Sequence, residues 1–155
     1  MPIPKPLQPS NGLPPNEKTF SISVEGDTTK MLSTGQFTCR CVLNLAQRSE
    51  ADLVEARLNQ GLKDVRPSTQ TLHYVLAQLY VRLAKAPNWW VSSFLPDEGV
   101  PGKLLMDWNV VSAIFKECMD AEADWRIQVW GPQKPPEGPA EASEASSEEG
   151  STPKV

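Results

Sequence analysis

The sequence lacks the features that define several large functional classes. No run approaches the roughly 18 uncharged apolar residues that a membrane span needs, and residues 1–6, MPIPKP, lack the apolar segment of a secretory signal. The net charge is −4, so there is no excess of Lys and Arg to neutralise phosphates. We therefore expect a protein that acts without a membrane and without nucleic acid.

Residues suited to catalysis or metal binding are scarce. His73 is the only histidine, expected at the surface or boundary of a helix, and no G-x-S-x-G, P-loop, G-x-G-x-x-G or HExxH motif occurs. Three cysteines form no even disulfide framework and indicate a reducing compartment. Cys39 and Cys41 would share one face of a strand, either as metal ligands or, as we favour, as two small buried side chains. We predict no catalytic residues, no metal and no cofactor.

Proline is scarce in the middle of the chain and abundant at its ends. Six of the fifteen prolines lie in residues 1–18 and five in residues 132–155. The first segment is Pro-rich and the last is acidic and rich in small residues, so neither buries enough apolar area to offset its ordering entropy. We predict a mobile arm over 1–18, one folded domain over 19–131 and a disordered acidic tail over 132–155.

Two segments of the body alternate as half-buried strands do. In residues 19–25 the apolar face consists of Phe20, Ile22 and Val24. In residues 36–43 it consists of Phe37, Cys39, Cys41 and Leu43. Residues 28–35, between the two, could be a loop or a third short strand. The pattern predicts a small N-terminal antiparallel hairpin that a helix must cover.

Three helical patterns follow the hairpin and predict an α+β fold that is mostly α. The first begins at a capping box over 49–52 and ends near Gly61; its apolar stripe is Leu53, Val54, Leu58 and Leu62. The second begins at Ser68 and runs through Ala86; its stripe is Leu72, Val75, Leu76, Leu79, Tyr80 and Leu83. The third spans 104–126; its stripe is Leu104, Trp108, Val111, Phe115, Met119, Glu122 and Trp125. We expect Leu76 and Phe115 to be core residues, because they lie in the middle of their stripes.

The loop over residues 88–102 is unusually aromatic. It carries Trp89, Trp90, Phe94 and Leu95 between two helices. Adjacent loop residues rarely bury on the same side, so one tryptophan ring would fill the core while the other covers the loop or faces a partner. In the alternative interpretation both rings fold onto the domain. We select these four residues as candidate partner-binding residues.

The order of these elements matches a recognisable pattern. A strand-like GQF segment at 35–37 precedes a helix rich in Glu, Ala and Arg over 50–61. The second helix, AQLYVRLAKAP over 77–87, runs into Asn-Trp-Trp, and an acidic Pro/Gly loop leads to the last helix. This arrangement resembles the tail assembly chaperones of long-tailed, siphovirus-type bacteriophages, which often show an apolar helix ending in Ala-Pro and followed by tryptophan. The resemblance covers about residues 35–125; the Pro-rich arm is not part of it.

The resemblance implies a function in virion assembly rather than in catalysis. Such proteins act in the host cytoplasm, bind the long apolar tape-measure protein, keep it soluble and give way to the tail-tube protein. Self-association is compatible with this role. A longer product made by −1 frameshifting is typical of the group, and residues 152–154 can be encoded with a slippery C-CCA-AAG heptamer. The alternative is a structural virion protein, such as a tail-completion or head–tail connector subunit.

Overall fold

The computed structural model describes residues 12–131, which form a three-stranded antiparallel sheet and four helices. In chain order the elements are β1 (Glu17–Glu25), β2 (Leu32–Arg40), α1 (Leu45–Asn59), α2 (Pro67–Arg82), β3 (Leu83–Lys85), α3 (Asn88–Val91) and α4 (Trp108–Trp130). The strands lie in the order β1–β2–β3. The predicted α+β class, mostly helical with an N-terminal hairpin, is confirmed, but the sheet has three strands instead of two.

The hairpin supplies one wall of the core. Phe20 pairs with Phe37 in the β1–β2 register, and their rings stack with centroids 5.6 Å apart. The predicted inward faces are confirmed, since all their residues except the half-buried Val24 are buried. β2 begins at Leu32 and ends at Arg40, earlier than predicted, so Cys41 and Leu43 are buried just beyond the strand.

The third strand comes from the end of the predicted second helix. α2 stops at Arg82, and Leu83 and Lys85 pair with Cys39 and Thr38 of β2. The prediction that the helix continues to residue 86 is therefore wrong. The unpaired edge of β2 offers hydrogen bonds to this segment, and Pro87 already disfavours helix in the residue before it.

α1 has its N-cap five residues earlier than predicted, at Asn44 instead of Ser49. Asn44 caps it: its side chain accepts from the Gln47 amide at 2.8 Å, and the Gln47 side chain accepts from the Asn44 amide at 3.0 Å. The capping box predicted at 49–52 is therefore wrong, because this pair occupies the same role one turn upstream. Leu53 is 71% exposed, whereas Val54 lies on the buried face.

α2 and α4 close the core over the sheet. Leu76 of α2 is fully buried, as predicted, but His73 is also buried, contrary to its predicted location at the surface or boundary of the helix. α2 starts at Pro67 without a side-chain cap, so Ser68 is not its N-cap. The buried face of α4 is Val110, Val111, Ile114, Cys118 and Ala121.

The predicted phase of the last helix is wrong by about one residue. α4 begins at Trp108, and Leu104 lies outside it. Trp108 is exposed, Phe115 is only half-buried, and Ile114 takes the central core position. A rotation of about 100° separates neighbouring helical residues, so Phe115 lies at the edge of the core, where its ring meets Tyr74 edge-on at 6.3 Å.

The folded part starts before the boundary predicted between residues 18 and 19. β1 begins at Glu17, and the Asn16 side chain donates to the Val42 carbonyl at 3.0 Å and accepts from its amide at 2.8 Å. The Trp125 indole donates to the Pro14 carbonyl at 3.3 Å. Residues 1–11 of the predicted arm and the whole predicted tail, 132–155, lie outside the described residues.

Candidate partner-binding surface

Five large apolar side chains are exposed in one region of the domain. They come from the end of the β1–β2 turn and the first residue of β2, and from the segment that enters α4 together with its first residue; each is between 42% and 73% exposed. We call this group the apolar surface: Met31, Leu32, Leu104, Met106 and Trp108. Scattered single exposed hydrophobics are ordinary, but a contiguous group of this kind is typical of an interaction site.

Two grooves flank the segment that enters α4. The first, of about 530 Å³, lies against the start of α2 and includes Leu72 and Trp108 in its wall. The second, of about 390 Å³, lies against the hairpin and includes Leu32 and Trp89. Because Leu105 and Met106 line both grooves, the two grooves are neighbours that meet at these side chains.

A buried carboxylate ties the hairpin turn to the start of α4. One oxygen of Asp107 accepts from the amides of Thr28 and Thr29, each at 2.8 Å, and the other accepts from the Thr29 hydroxyl at 2.6 Å. Hydrogen bonds from the Thr29 hydroxyl and amide, and then from the Thr28 amide, hold the pKa of Asp107 below its ordinary value. The group therefore remains an anion that accepts three hydrogen bonds from the turn.

The neighbouring Asn109 adds a second tie. Its side chain accepts from the Asp27 amide at 2.9 Å and donates to the Glu25 carbonyl at 2.8 Å. The turn itself is closed by Gly26, whose amide donates to the Met31 carbonyl at 2.9 Å. A Cβ on Gly26 would overlap the Asp107 carboxylate, so only glycine fits at this approach.

The structure separates the four candidate residues chosen from the sequence. Trp90 is 3% exposed and belongs to the core, where its ring meets Phe37 edge-on at 6.2 Å. Trp89 is half-buried, and its indole donates to the Thr34 carbonyl at 2.9 Å. Trp89 therefore lies in the wall of the second groove, next to the apolar surface.

Phe94 and Leu95 lie on another side of Trp90. Phe94 is 38% exposed and lines a third groove, of about 290 Å³, beside β3. Tyr80 and Val91 line the same groove and are also exposed. Leu95 is half-buried. Trp89 and Phe94 thus border different grooves.

Sequence reasoning missed most of the apolar surface. Leu104 and Trp108 were assigned to a buried helical stripe, and Met31 fell in an unassigned connection. A usable signal was present: apolar residues stand together beside turn residues in KMLS at 30–33 and in KLLMD at 103–107. Such clusters in connections are unusual, since loops generally carry polar side chains.

A buried ion pair joins α2 to α4 on the opposite part of the core. The Arg82 guanidinium donates to Glu122 at 2.7 Å and to the Cys41 carbonyl at 3.1 Å, while Arg126 donates to the other Glu122 oxygen at 2.7 Å. Burial raises the pKa of Glu122, but the bonds from Arg126 and Arg82 outweigh it and lower the pKa overall. The carboxylate is thus ionised and held between two cations.

His73 belongs to a second polar cluster. Its Nδ1 lies 2.6 Å from the Asn59 side-chain oxygen, and its Nε2 lies 3.3 Å from the Lys103 ammonium, which is 3.5 Å from Glu98. Burial, and then the charge of Lys103, lower the pKa of His73. Neutral His73 therefore donates from Nδ1 to Asn59 and accepts at Nε2 from Lys103.

The remaining candidates for chemistry are buried thiols. Cys39, Cys41 and Cys118 are free and buried, and within residues 12–131 no group of three His, Cys, Asp or Glu is arranged to hold a metal ion. No helix in the same residues has the length and hydropathy to cross a membrane.

Comparison with protein-family models, curated proteins and solved structures finds no match to this chain.

Proposed function

We propose that this protein is an assembly chaperone that binds an apolar helical segment of its partner on the apolar surface, and that the partner is the tape-measure protein of a long-tailed bacteriophage. The observation that carries the proposal is the exposure of five large apolar side chains between two adjoining grooves. A surface of this kind suits the apolar face of an amphipathic helix.

The composition of the surface supports a role in holding many similar segments. Met31 and Met106 are the two most exposed residues of the apolar surface. Methionine is flexible and polarisable, so it adapts to partner side chains of different shape. The exposed area is on the order of 500 Å², enough for a modest affinity per copy. Many copies along one long helix would then bind by avidity.

The resemblance in element order supplies the phage context. The segment whose sequence resembles an apolar helix ending in Ala-Pro is folded here as α2 followed by β3, and the two tryptophans lie in α3 directly after Pro87. On this proposal the protein works in the host cytoplasm, keeps the tape-measure protein soluble and is displaced by the tail-tube protein. Self-association along the tape-measure helix belongs to the same proposal.

Co-expression with the tape-measure protein of the same genome tests the proposal. We expect the wild-type chain to keep the tape-measure protein in the soluble fraction and to be retained with it on affinity purification. The double variant Leu104→Ser/Met106→Ser should lose most of this effect. The matched control is Leu45→Ser/Leu53→Ser on α1, where two leucines that are 78% and 71% exposed lie outside both grooves.

Two results would overturn the proposal. One is a tape-measure protein that is equally insoluble with and without the wild-type chain. The other is co-purification of the chain with mature particles in stoichiometric amounts, which would favour the alternative of a tail-completion or head–tail connector subunit.

A further inference from the structure

We infer that Asp107 is the positioning residue of the apolar surface: its carboxylate holds the hairpin turn so that Met31 and Leu32 stand beside Met106 before a partner arrives. The inference rests on the proposed function. It adds that the affinity of the surface for its partner depends on Asp107, although this residue makes no apolar contact with the partner. Asp107 is buried, so it acts through the turn.

The two halves of the apolar surface come from distant parts of the chain. Met31 ends the β1–β2 turn and Leu32 begins β2, whereas Leu104 and Met106 precede α4, so that Leu32 and Leu104 lie 72 positions apart in the chain. The hydrogen bonds that the structure gives between these halves come from Asp107 and from the adjacent Asn109. The relative placement of the halves therefore depends on these polar ties.

Asp107 serves the turn instead of its own helix. It occupies the N-cap position of α4, where an aspartate side chain ordinarily accepts from an amide of the first helical turn. It makes no such side-chain bond, although its backbone carbonyl accepts from the Val110 amide at 3.1 Å. All three of its side-chain hydrogen bonds go to Thr28 and Thr29. A residue placed only to stabilise α4 would not be used in this way.

Gly26 provides an independent observation of the same arrangement. A Cβ at this residue would overlap both carboxylate oxygens of Asp107. The φ of Gly26 does not lie in the left-handed region, so its backbone conformation does not itself require glycine. The close approach of the carboxylate accounts for the glycine, and the turn and the carboxylate are fitted to each other.

Loss of the carboxylate should weaken binding by lowering the population of the competent surface. Hydrogen bonds to a charged group are among the stronger ones in proteins. Without them the turn leaves its place beside Met106, and the apparent dissociation constant rises in inverse proportion to the fraction still in place. We expect Asp107→Ala to weaken binding about tenfold or more.

The experiment uses the full chain and two readouts. The first is fluorescence anisotropy with a labelled amphipathic peptide of Leu, Glu and Lys residues, its leucines at helical i, i+3, i+4, i+7 spacing. The second is amide hydrogen exchange at Thr28 and Thr29. Asp107→Ala should weaken peptide binding about tenfold or more and accelerate both amides. Asp107→Asn keeps an oxygen for the two amides and should stay within about threefold of wild type.

A matched control separates positioning from stability. Asn16→Ala removes two side-chain bonds to the backbone of Val42 at the other end of the sheet. It should lower the urea midpoint without changing the affinity of the folded protein. If Asp107→Ala does not fold, Thr29→Val removes only the hydroxyl bond to the carboxylate and should show the same pattern to a smaller degree.

Unchanged exchange at Thr28 and Thr29 in a folded Asp107→Ala protein would overturn the inference, as would unchanged peptide affinity alongside faster exchange. Where wild type does not bind the peptide, unchanged exchange still overturns the inference, and faster exchange still supports the role of Asp107 in holding the turn. Failure to solubilise the tape-measure protein refutes the proposed function alone, because neither readout here uses that protein.

Discussion

Arg82 of α2 and Glu122 of α4 form an ion pair of 2.7 Å whose guanidinium is almost completely removed from solvent. The same guanidinium reaches the Cys41 carbonyl just beyond β2, so one side chain connects two helices with the sheet. A buried charge that keeps its partner is tolerated, whereas a buried charge that loses its partner is strongly destabilising. The pair therefore makes the packing of α2 against α4 sensitive to single substitutions.

Removing one partner of this pair should destabilise the protein severely. We expect Glu122→Ala to lower the free energy of unfolding by about 3 kcal/mol or more, because it leaves Arg82 charged and buried. The double variant Arg82→Met/Glu122→Leu should lose much less than the sum of the single changes. Urea unfolding measures all three. The exposed pair Lys116–Asp120 is the control: Asp120→Ala should leave the urea midpoint close to that of wild type, and a loss as large as that of Glu122→Ala would contradict the role of burial.

Stability should decrease on mild acidification because of His73. Its pKa is lowered by burial and by Lys103, while Glu98 opposes the shift, so the unfolded chain binds the proton more tightly than the folded one. The free energy of unfolding therefore falls as pH drops below the ordinary histidine value of about 6.5 and stops falling below the folded pKa. Chemical unfolding at pH 7.5 and pH 5 measures the difference.

The variant His73→Gln tests the assignment of that pH dependence. Glutamine can still face Asn59 and Lys103 but does not titrate, so the decrease between pH 7.5 and pH 5 should become markedly smaller than in wild type. An unchanged pH dependence would assign the effect to other groups. The pKa values of the Asp107 and Glu122 carboxylates are also lowered, so their stabilising effect is lost only at a lower pH, where the carboxyl groups of the unfolded chain begin to protonate.

Ile114 should matter more to the core than its larger neighbour Phe115. Ile114 is fully buried, whereas Phe115 is half-buried at the edge. We expect Ile114→Ala to cost about 2–5 kcal/mol and Phe115→Ala about 1–2 kcal/mol. Leu76→Ala, in the fully buried stripe of α2, should resemble Ile114→Ala. If urea unfolding showed a larger loss of stability for Phe115→Ala than for Ile114→Ala, the helix phase predicted from the sequence would be supported instead.

The contrast between these two residues shows why the sequence predicted some elements better than others. Strict alternation identified the buried faces of β1 and β2, because a period of two leaves only two choices of face. The stripe of α4 allowed two phases, since apolar residues occupy both 110–111 and 114–115. Packing against the sheet selected Ile114, and that contact is not local in the sequence.

The candidate surface was less predictable for a related reason. Its members lie in or directly beside two connections that are brought together by Asp107, and the hydrogen bonds between residues 28–29 and 107 leave no periodic signal in the sequence. Leu83–Lys85 illustrates the same limit, because its helical pattern was overridden by pairing with β2. Local patterns identify elements, but tertiary hydrogen bonds determined which connections meet.

The three thiols should be inert in the folded protein. Cys39, Cys41 and Cys118 are all buried. The hydrogen bond with Cys39, and then burial, raise the pKa of Cys118, and burial raises the pKa of Cys41. The same hydrogen bond lowers the pKa of Cys39, so the protection of that thiol rests on its complete burial. Since the thiolate is the reactive form, Ellman's reagent at pH 8 should titrate no thiol of the native chain and three in denaturant. Rapid reaction of one thiol without denaturant would contradict the packing of β2 against α4.

Variants of Phe94 and Met106 distinguish between the two candidate binding sites. Phe94 borders the groove beside β3, where the sequence-based hypothesis put part of the binding site, whereas Met106 lies on the apolar surface. Both side chains are exposed, so replacing either by serine should leave the fold intact, unlike any change at the buried Trp90.

We expect Met106→Ser to weaken retention of the tape-measure protein severalfold and Phe94→Ser to leave it unchanged, as measured by pull-down from co-expressing cells. The reverse result, with Phe94→Ser alone weakening retention, would move the binding site to the groove formed by Tyr80, Val91 and Phe94. Equal losses would mean that the partner contacts both grooves, and Trp89, which lies in the wall of the groove beside the hairpin, would then be the residue to change next.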